Sequence, residues 1–316
     1  MSFQFNEFSE KSDFFKHLCS DQTAKCLLAN GNTIRAKFRH GEGTTLIVLF
    51  HPAGPPYAEN RPYFLPFLPL EVPQISISDP TLEGNDHLSS GWYLGHAEAN
   101  LPQTLSELMV EFSGFLGTRR RIFVGGSSGG FAALMYSSLD PESLAVAVCP
   151  QTDLDFYQNR NTGLFKDTFF PNATESETIK QLTGIDLRER YSAKLPNSLV
   201  VTVSPRDHHL DTQIIPLWQR LIYPTTENAI LDVRYHGIDG HGGSVPGEYW
   251  IGWVKAALAA KSWQTKDLLD AFYVLDNHES DQVNQPPSSP PEKQEKMKNR
   301  LADLIKEWEL KKATSQ

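Results

Sequence analysis

The sequence predicts an α/β chain: a mostly parallel central sheet with helices on both faces. Two observations carry that expectation. Apolar runs rich in β-branched residues recur at 44–50, 122–124, 144–148 and 198–203, too continuous for strands with one wet face. Stretches with helical spacing alternate with them, and strand, helix, strand in that order calls for parallel strands joined by right-handed crossovers.

The elements follow in chain order. Asn30-Gly31 separates two β-prone arms within 23–40, a hairpin signal that places an antiparallel edge first. The run 44–50 (TTLIVLF) is then a strand buried on both faces, ended by His51-Pro52-Ala53-Gly54-Pro55-Pro56. An extended run at 74–78 stops at Asp79-Pro80, and 88–95 (LSSGWYLG) brings Trp92 and Tyr93, bulky aromatics suited to lining a pocket. Leu101, Leu105, Leu108, Met109, Phe112 and Leu116 share one helical face. Their helix returns the chain to Ile122-Phe123-Val124, which a Gly/Ser turn cuts before the helical run Phe131-Ala132-Ala133-Leu134. A strand at 144–148 closes at Cys149-Pro150. Polar sequence with scattered phenylalanines at about 152–196 reads as an insertion over the carboxyl ends of the strands, a lid. Regular structure resumes with a strand at 198–203, a turn at 204–211, a helix near 214–221, a strand at 229–235, and helices at about 249–260 and 263–275.

The main domain is thus 1–275. Residues 276–291 are polar and proline-rich, can bury almost nothing, and read as a linker. Beyond it, 292–316 is expected to be an amphipathic helix, with Met297, Leu301, Leu304 and Trp308 in one apolar stripe. A helix that short needs a surface to cover, which a partner protein, a second copy of the chain or the main domain would supply.

Composition narrows the function. The 316 residues are 40% hydrophobic and 11% aromatic, enough for a proper core, and the formal charge of −9 argues against a nucleic-acid surface. Cys19, Cys26 and Cys149 are too scattered for a disulfide framework or a zinc cluster and read as reduced thiols. Residues 1–20 interleave charges with phenylalanines and lack the apolar core of a signal peptide, and no stretch reaches the length of a membrane span. The expected compartment is the cytoplasm.

The turn after 122–124 contains G-x-S-x-G in two overlapping frames, 125–129 and 126–130. In such an elbow, glycines let the chain turn so sharply that a serine oxygen stands clear of the backbone as a nucleophile. The first frame makes that serine Ser127, two residues past the apolar run, and leaves Ser128 to offer its N–H to an oxyanion. A phosphate loop is disfavoured, since no lysine follows at its position. A serine needs a histidine to take its proton and a carboxylate to orient that histidine. His241, between glycines past the last strand, is the histidine expected, with His236 in reserve. Asp207, just past the strand at 198–203, is the acid, with Asp211 as competitor or helix cap. A metal at His208, His209 and Asp211 is disfavoured because adjacent turn residues converge poorly on one ion. The second oxyanion donor falls to Ala53, or failing it Gly54, because the loop's prolines have no N–H. His51 begins that loop and is read as orienting it or as a satisfied structural histidine, and it is grouped with Gly54, Trp92 and Tyr93 as a candidate for the substrate pocket. No cofactor is called for.

In the order Ser127, Asp207, His241, with His51-Pro52-Ala53-Gly54 upstream, the chain resembles the α/β-hydrolase superfamily over roughly 23–260. It departs from the common pattern in the proline after His51 and the doubled serine. A fainter likeness, through Gly125 to Gly130 and Asp207-His208-His209, is to the branch that O-acetylates glycans in accessory secretion systems. The resemblance implies an ester or related acyl bond in a small molecule or glycan as substrate. The alternatives are an acyltransferase moving an acyl group to or from a glycan hydroxyl, and a non-catalytic scaffold in polysaccharide assembly.

Overall fold

The computed structural model describes residues 5–28, 31–55, 62–95, 100–157, 160–171, 185–192, 197–221 and 227–283. Their strands are β1 (Glu7–Phe8), β2 (Thr23–Leu27), β3 (Thr33–Arg39), β4 (Thr45–Phe50), β5 (Gln74–Ile77), β6 (Arg120–Gly126), β7 (Ser143–Val148), β8 (Ser198–Val203) and β9 (Ala229–Val233). Among the described residues they form one sheet in the order β1-β2-β3-β5-β4-β6-β7-β8-β9. From β5 across to β9 every neighbouring pair is parallel, while β3 runs antiparallel to both β2 and β5.

The helices are α1 (Lys11–Asp21), α2 (Leu101–Phe115), α3 (Ser128–Ser138), α4 (Arg160–Phe169), α5 (Leu187–Arg190), α6 (Ile215–Leu221), α7 (Gly247–Ala259) and α8 (Thr265–Val283), with a π-helical turn at Leu210–Ile214 leading into α6. Side chains alternate along a strand. Leu46, Val48 and Phe50 of β4 therefore join the core cluster that includes α1, α2 and α3, whereas Ile47 and Leu49, equally buried, point the other way. Both faces of the central strands are thus covered, as a parallel sheet requires.

The α/β class, the hairpin and the parallel central strands alternating with helices along the chain follow the sequence expectation. Helix α1 does not appear in it: Phe14, Phe15 and Leu18 are buried on one face, and the Phe15 ring lies 5.1 Å from that of Phe112 in α2. At the other end α8 continues to Val283, into the stretch read as a linker. No glycine or proline interrupts the chain between Lys266 and Gln285, so nothing stops the helix at 275. The chain divides into a unit Met1–Phe272 and a unit Tyr273–Gln316, a boundary inside α8. The rest of the linker and the expected helix at 292–316 lie outside the described residues. Within the described residues, no helix is long and apolar enough to cross a membrane.

One buried ion pair fixes the strand that matters most here. Arg121, near the start of β6, forks onto the Asp140 carboxylate just past α3 and also donates to Ser113 Oγ of α2. A buried charge needs such full pairing, and this one ties both ends of the β6–α3 unit together.

Candidate active site

Between β6 and α3 the chain turns on Ser127, whose φ of 53° and ψ of −116° lie in a region that a residue with a Cβ rarely enters. Strain of this kind costs about 1–3 kcal/mol and persists only where the surroundings impose it. They do so here. A Cβ on Gly125 would collide with the Gly129 carbonyl, and one on Gly129 with the Phe50 carbonyl at the end of β4. The two glycines let α3 pass hard against the sheet, and Ser127 is left at the apex. Ser128 opens α3 and is buried.

Ser127 Oγ lies 2.9 Å from His241 Nε2, and His241 Nδ1 lies 2.8 Å from Asp207 Oδ2. The structure brings the three expected residues into one hydrogen-bonded chain, although they are far apart in sequence. Asp207 follows β8 and also accepts the His209 N–H at 2.9 Å. Burial pushes its carboxyl up, but hydrogen bonds from His241, the His209 N–H and the Cys149 thiol outweigh that and hold its pKa at about 2. It therefore faces His241 as a carboxylate. The two reserve residues sit elsewhere: Asp211 is exposed at the π-helical turn, and the His236 ring packs at a tilt against Tyr249.

His209 stands behind His241, fully buried, with ring centroids 4.0 Å apart. Its Nδ1–H donates to the Cys149 carbonyl at 3.0 Å. Burial, then the proximity of His241, lowers its pKa to about 4, so near pH 7 it is a neutral wall that limits how the His241 ring can tilt. Asp207, His208 and His209 bring ligand-type atoms within 4.8 Å of one another. Two of the three are already committed, Asp207 to His241 and to the His209 N–H, and His209 Nδ1 to a carbonyl.

The loop after β4 is held from beneath. The His51 N–H donates to Tyr93 Oη at 3.0 Å, and Tyr93 Oη donates to the Ile77 carbonyl. His51 Nε2 accepts the Asp79 N–H at 3.1 Å, so its Nδ1 carries the proton and donates to the Pro52 carbonyl at 2.7 Å. The Gly54 N–H is taken by the Ser89 carbonyl. With Pro52 and Pro55 carrying no N–H, Ala53 is the loop's remaining backbone donor.

A cavity of about 260 Å3 opens beside Ser127 and His241, walled by Leu65, Val124, Val148, Val245 and Trp250. None of His51, Gly54, Trp92 and Tyr93 lines it. His51, Trp92 and Tyr93 are all at most 2% exposed, and their polar atoms are spent on supporting the loop and its neighbours. Sequence reasoning also passed over Gln151, whose Nε2 donates to Ser127 Oγ at 2.8 Å. The signal available for it was position alone, a polar residue just past the carboxyl end of the strand beside the elbow, where sites in such sheets form.

No protein-family model matches this chain, and no curated protein does. Solved structures do match. One is the capsule O-acetyltransferase of Neisseria meningitidis serogroup A, at 17% identity and a TM-score of 0.53, covering 70% of this chain and 92% of that one. A histidine-to-alanine mutant of that enzyme in complex with CoA matches at 15% identity and a TM-score of 0.56, over 77% of this chain and 97% of the other. The Glycosylation Associate Protein (Gap123) complex from Streptococcus agalactiae matches at 14% identity and a TM-score of 0.57, over 77% of this chain and 47% of that one. Likeness at such identities is likeness of fold alone, here an α/β arrangement around a mostly parallel sheet.

Proposed function

We propose that the chain is a serine hydrolase that cleaves an ester or related acyl bond through an acyl-enzyme. The observation that carries this reading is the unbroken chain from Asp207 through His241 to Ser127 Oγ, at a strained elbow beside an apolar cavity. Ser127 Oγ attacks the acyl carbon while His241 Nε2 takes its proton. His241 then returns that proton to the leaving oxygen, and Asp207 steadies the imidazolium between the two transfers. The Ala53 and Ser128 N–H groups receive the oxyanion. The cavity walls of Leu65, Val124, Val148, Val245 and Trp250 suit an apolar acyl chain.

The test is labelling with a fluorophosphonate, followed by mapping of the adduct. Labelling of Ser127 that disappears in Ser127→Ala supports the proposal, and an unlabelled wild type overturns it.

A second reading, acyl transfer to or from a glycan hydroxyl, draws on the likeness to the capsule O-acetyltransferase. The two readings share the acyl-enzyme and differ in what attacks it. Assaying p-nitrophenyl esters, then acetylated sugars with and without an acetyl donor, separates them, and inactivity throughout would leave a scaffold in polysaccharide assembly. Three free thiols suit a reducing compartment, and we place the chain in the cytoplasm. The stripe at 292–316 is proposed as its contact to a partner protein or a second copy.

A further inference from the structure

We infer that Gln151 is a further catalytic residue, a donor to the nucleophile oxygen itself that speeds departure of the acyl group from Ser127; the inference rests on the reading of Ser127 as the nucleophile. Gln151 is 1% exposed and follows β7, where Val148 pairs in register with Gly126, so the fold sets it beside the elbow. Its amide has a defined orientation. The Trp92 indole N–H, which can only donate, reaches Gln151 Oε1 at 3.2 Å, and this turns Nε2 toward Ser127 Oγ at 2.8 Å.

That contact directs a proton. Ser127 Oγ carries one hydrogen, and with a lone pair occupied by Gln151 the hydrogen points to His241 Nε2, while His241 Nδ1–H points to Asp207. In acylation the Oγ–carbon bond forms as the Oγ proton moves to His241, and the bond from carbon to the leaving oxygen then breaks as His241 passes that proton to the leaving oxygen. In deacylation water or a hydroxyl attacks the acyl carbon and gives its proton to His241. The carbon–Oγ bond then breaks, its electron pair stays on Oγ, and His241 returns the proton there. An ester oxygen is a poor acceptor, so the Gln151 hydrogen bond is weak in the acyl-enzyme and strengthens as charge collects on Oγ. A bond stronger in the transition state than in the ground state accelerates that step.

Trp92 is the positioning residue. It and Tyr93 both adopt left-handed backbone, with φ of 52° and 59°, which a non-glycine residue seldom does. The Trp92 ring also meets Phe165 of α4 edge-on at 5.7 Å, so the insertion buttresses the donor from behind.

The experiment compares the full chain with Gln151→Met, which keeps the length and loses the donor, using p-nitrophenyl acetate under stopped flow. An activated ester makes deacylation limiting. The expected result is a retained burst of about one equivalent of nitrophenol, a steady rate lower by roughly 10- to 100-fold, and an acetyl adduct on Ser127 visible by intact mass during turnover. A steady rate within about twofold of wild type, or burst and steady rate falling together with no adduct, overturns the inference. Trp92→Phe keeps an aromatic ring and removes the N–H, and a smaller drop in the same step is expected; it carries the test if Gln151→Met does not fold. Failure of wild type to label or turn over would instead sink the underlying serine reading.

Discussion

Two histidine–aspartate pairs stand at the carboxyl edge of the sheet, His241 with Asp207 on the β8 side and His51 with Asp79 on the β4 side. In the first, the carboxylate meets Nδ1, the other ring nitrogen reaches Ser127, and the His241 side chain is 24% exposed. In the second, His51 is 2% exposed and both ring nitrogens are consumed by backbone groups, while the Asp79 carboxylate collects the Thr81 and Gly91 N–H groups. Burial lowers the His51 pKa and raises that of Asp79, against the pull each exerts on the other. The same two residue types therefore make a hydrogen-bonded chain that reaches the Ser127 hydroxyl in one place and a buried strut in the other. What separates them is which atoms meet, and whether one ring nitrogen is left facing the cavity.

The sharpest way to break this contrast is to delete each histidine. His241→Ala should lower turnover by about 10³-fold or more, with a stability loss of about 1–2 kcal/mol from the donor taken away from Asp207. His51→Ala should do the reverse in proportion: it strands a buried N–H of Asp79 and should cost about 2 kcal/mol or more of folding stability, with a smaller loss of rate. Esterase kinetics and thermal unfolding on both variants read the two effects. If His51→Ala unfolds at the wild-type midpoint, the strut reading of His51 is wrong.

A smaller effect is the acid response of the two aspartates. Asp207 has a folded pKa of about 2 against an ordinary 3.8. Its contribution to stability is thus fully present above about pH 4 and is lost as pH falls through about 2, an effect on the order of 2 kcal/mol. Asp79 works in the opposite sense. With its pKa raised, folding favours the protonated acid, so its contribution is lost as pH rises through and above the ordinary carboxylate range. Thermal midpoints of wild type and Asp207→Asn from pH 5 to pH 2 check the first sign: the advantage of wild type should shrink steadily toward pH 2. An advantage that stays constant would show that Asp207 carries no such linkage.

The contrast also marks how far the sequence can be read. Ser127 and Asp207 were legible because each follows a strongly apolar strand, Ser127 also because flanking glycines announce a turn, and His241 because glycines flank it past the last strand. The parallel central strands were legible from the same apolar runs, whereas their order in the sheet was not. His51 was open to two readings, since pattern places it beside the site but says nothing of what its ring nitrogens touch. Trp92 and Tyr93 were expected at a pocket wall. Their left-handed backbone and their bonds to Gln151 and the His51 N–H come from packing between segments distant in sequence. Helix α1 was missed because a charged, phenylalanine-bearing start was weighed only as a possible leader.

Cys149 offers the finest adjustment. It ends β7 with φ of 45°, lines the cavity, and sits between the Ser244 hydroxyl, 3.6 Å from its sulfur, and the Asp207 carboxylate. Burial, then the charge of Asp207, pushes its thiol up to about 12, so almost none is thiolate at pH 8. Iodoacetamide should therefore leave Cys149 unmodified in the folded chain although it borders the cavity, and alkylation there at the rate of a free thiol would contradict this environment. The same thiol is one of the donors that hold Asp207 down. Cys149→Ala removes it without touching His241, so activity near pH 7 should stay within about twofold, while the acid loss of stability moves to slightly higher pH, by about a few tenths of a unit. No such movement would mean that His241 and the His209 N–H alone set the charge of Asp207. That would tighten the contrast between the two pairs to its simplest form, in which an imidazole N–H on the carboxylate, present at Asp207 and not at Asp79, distinguishes the one from the other.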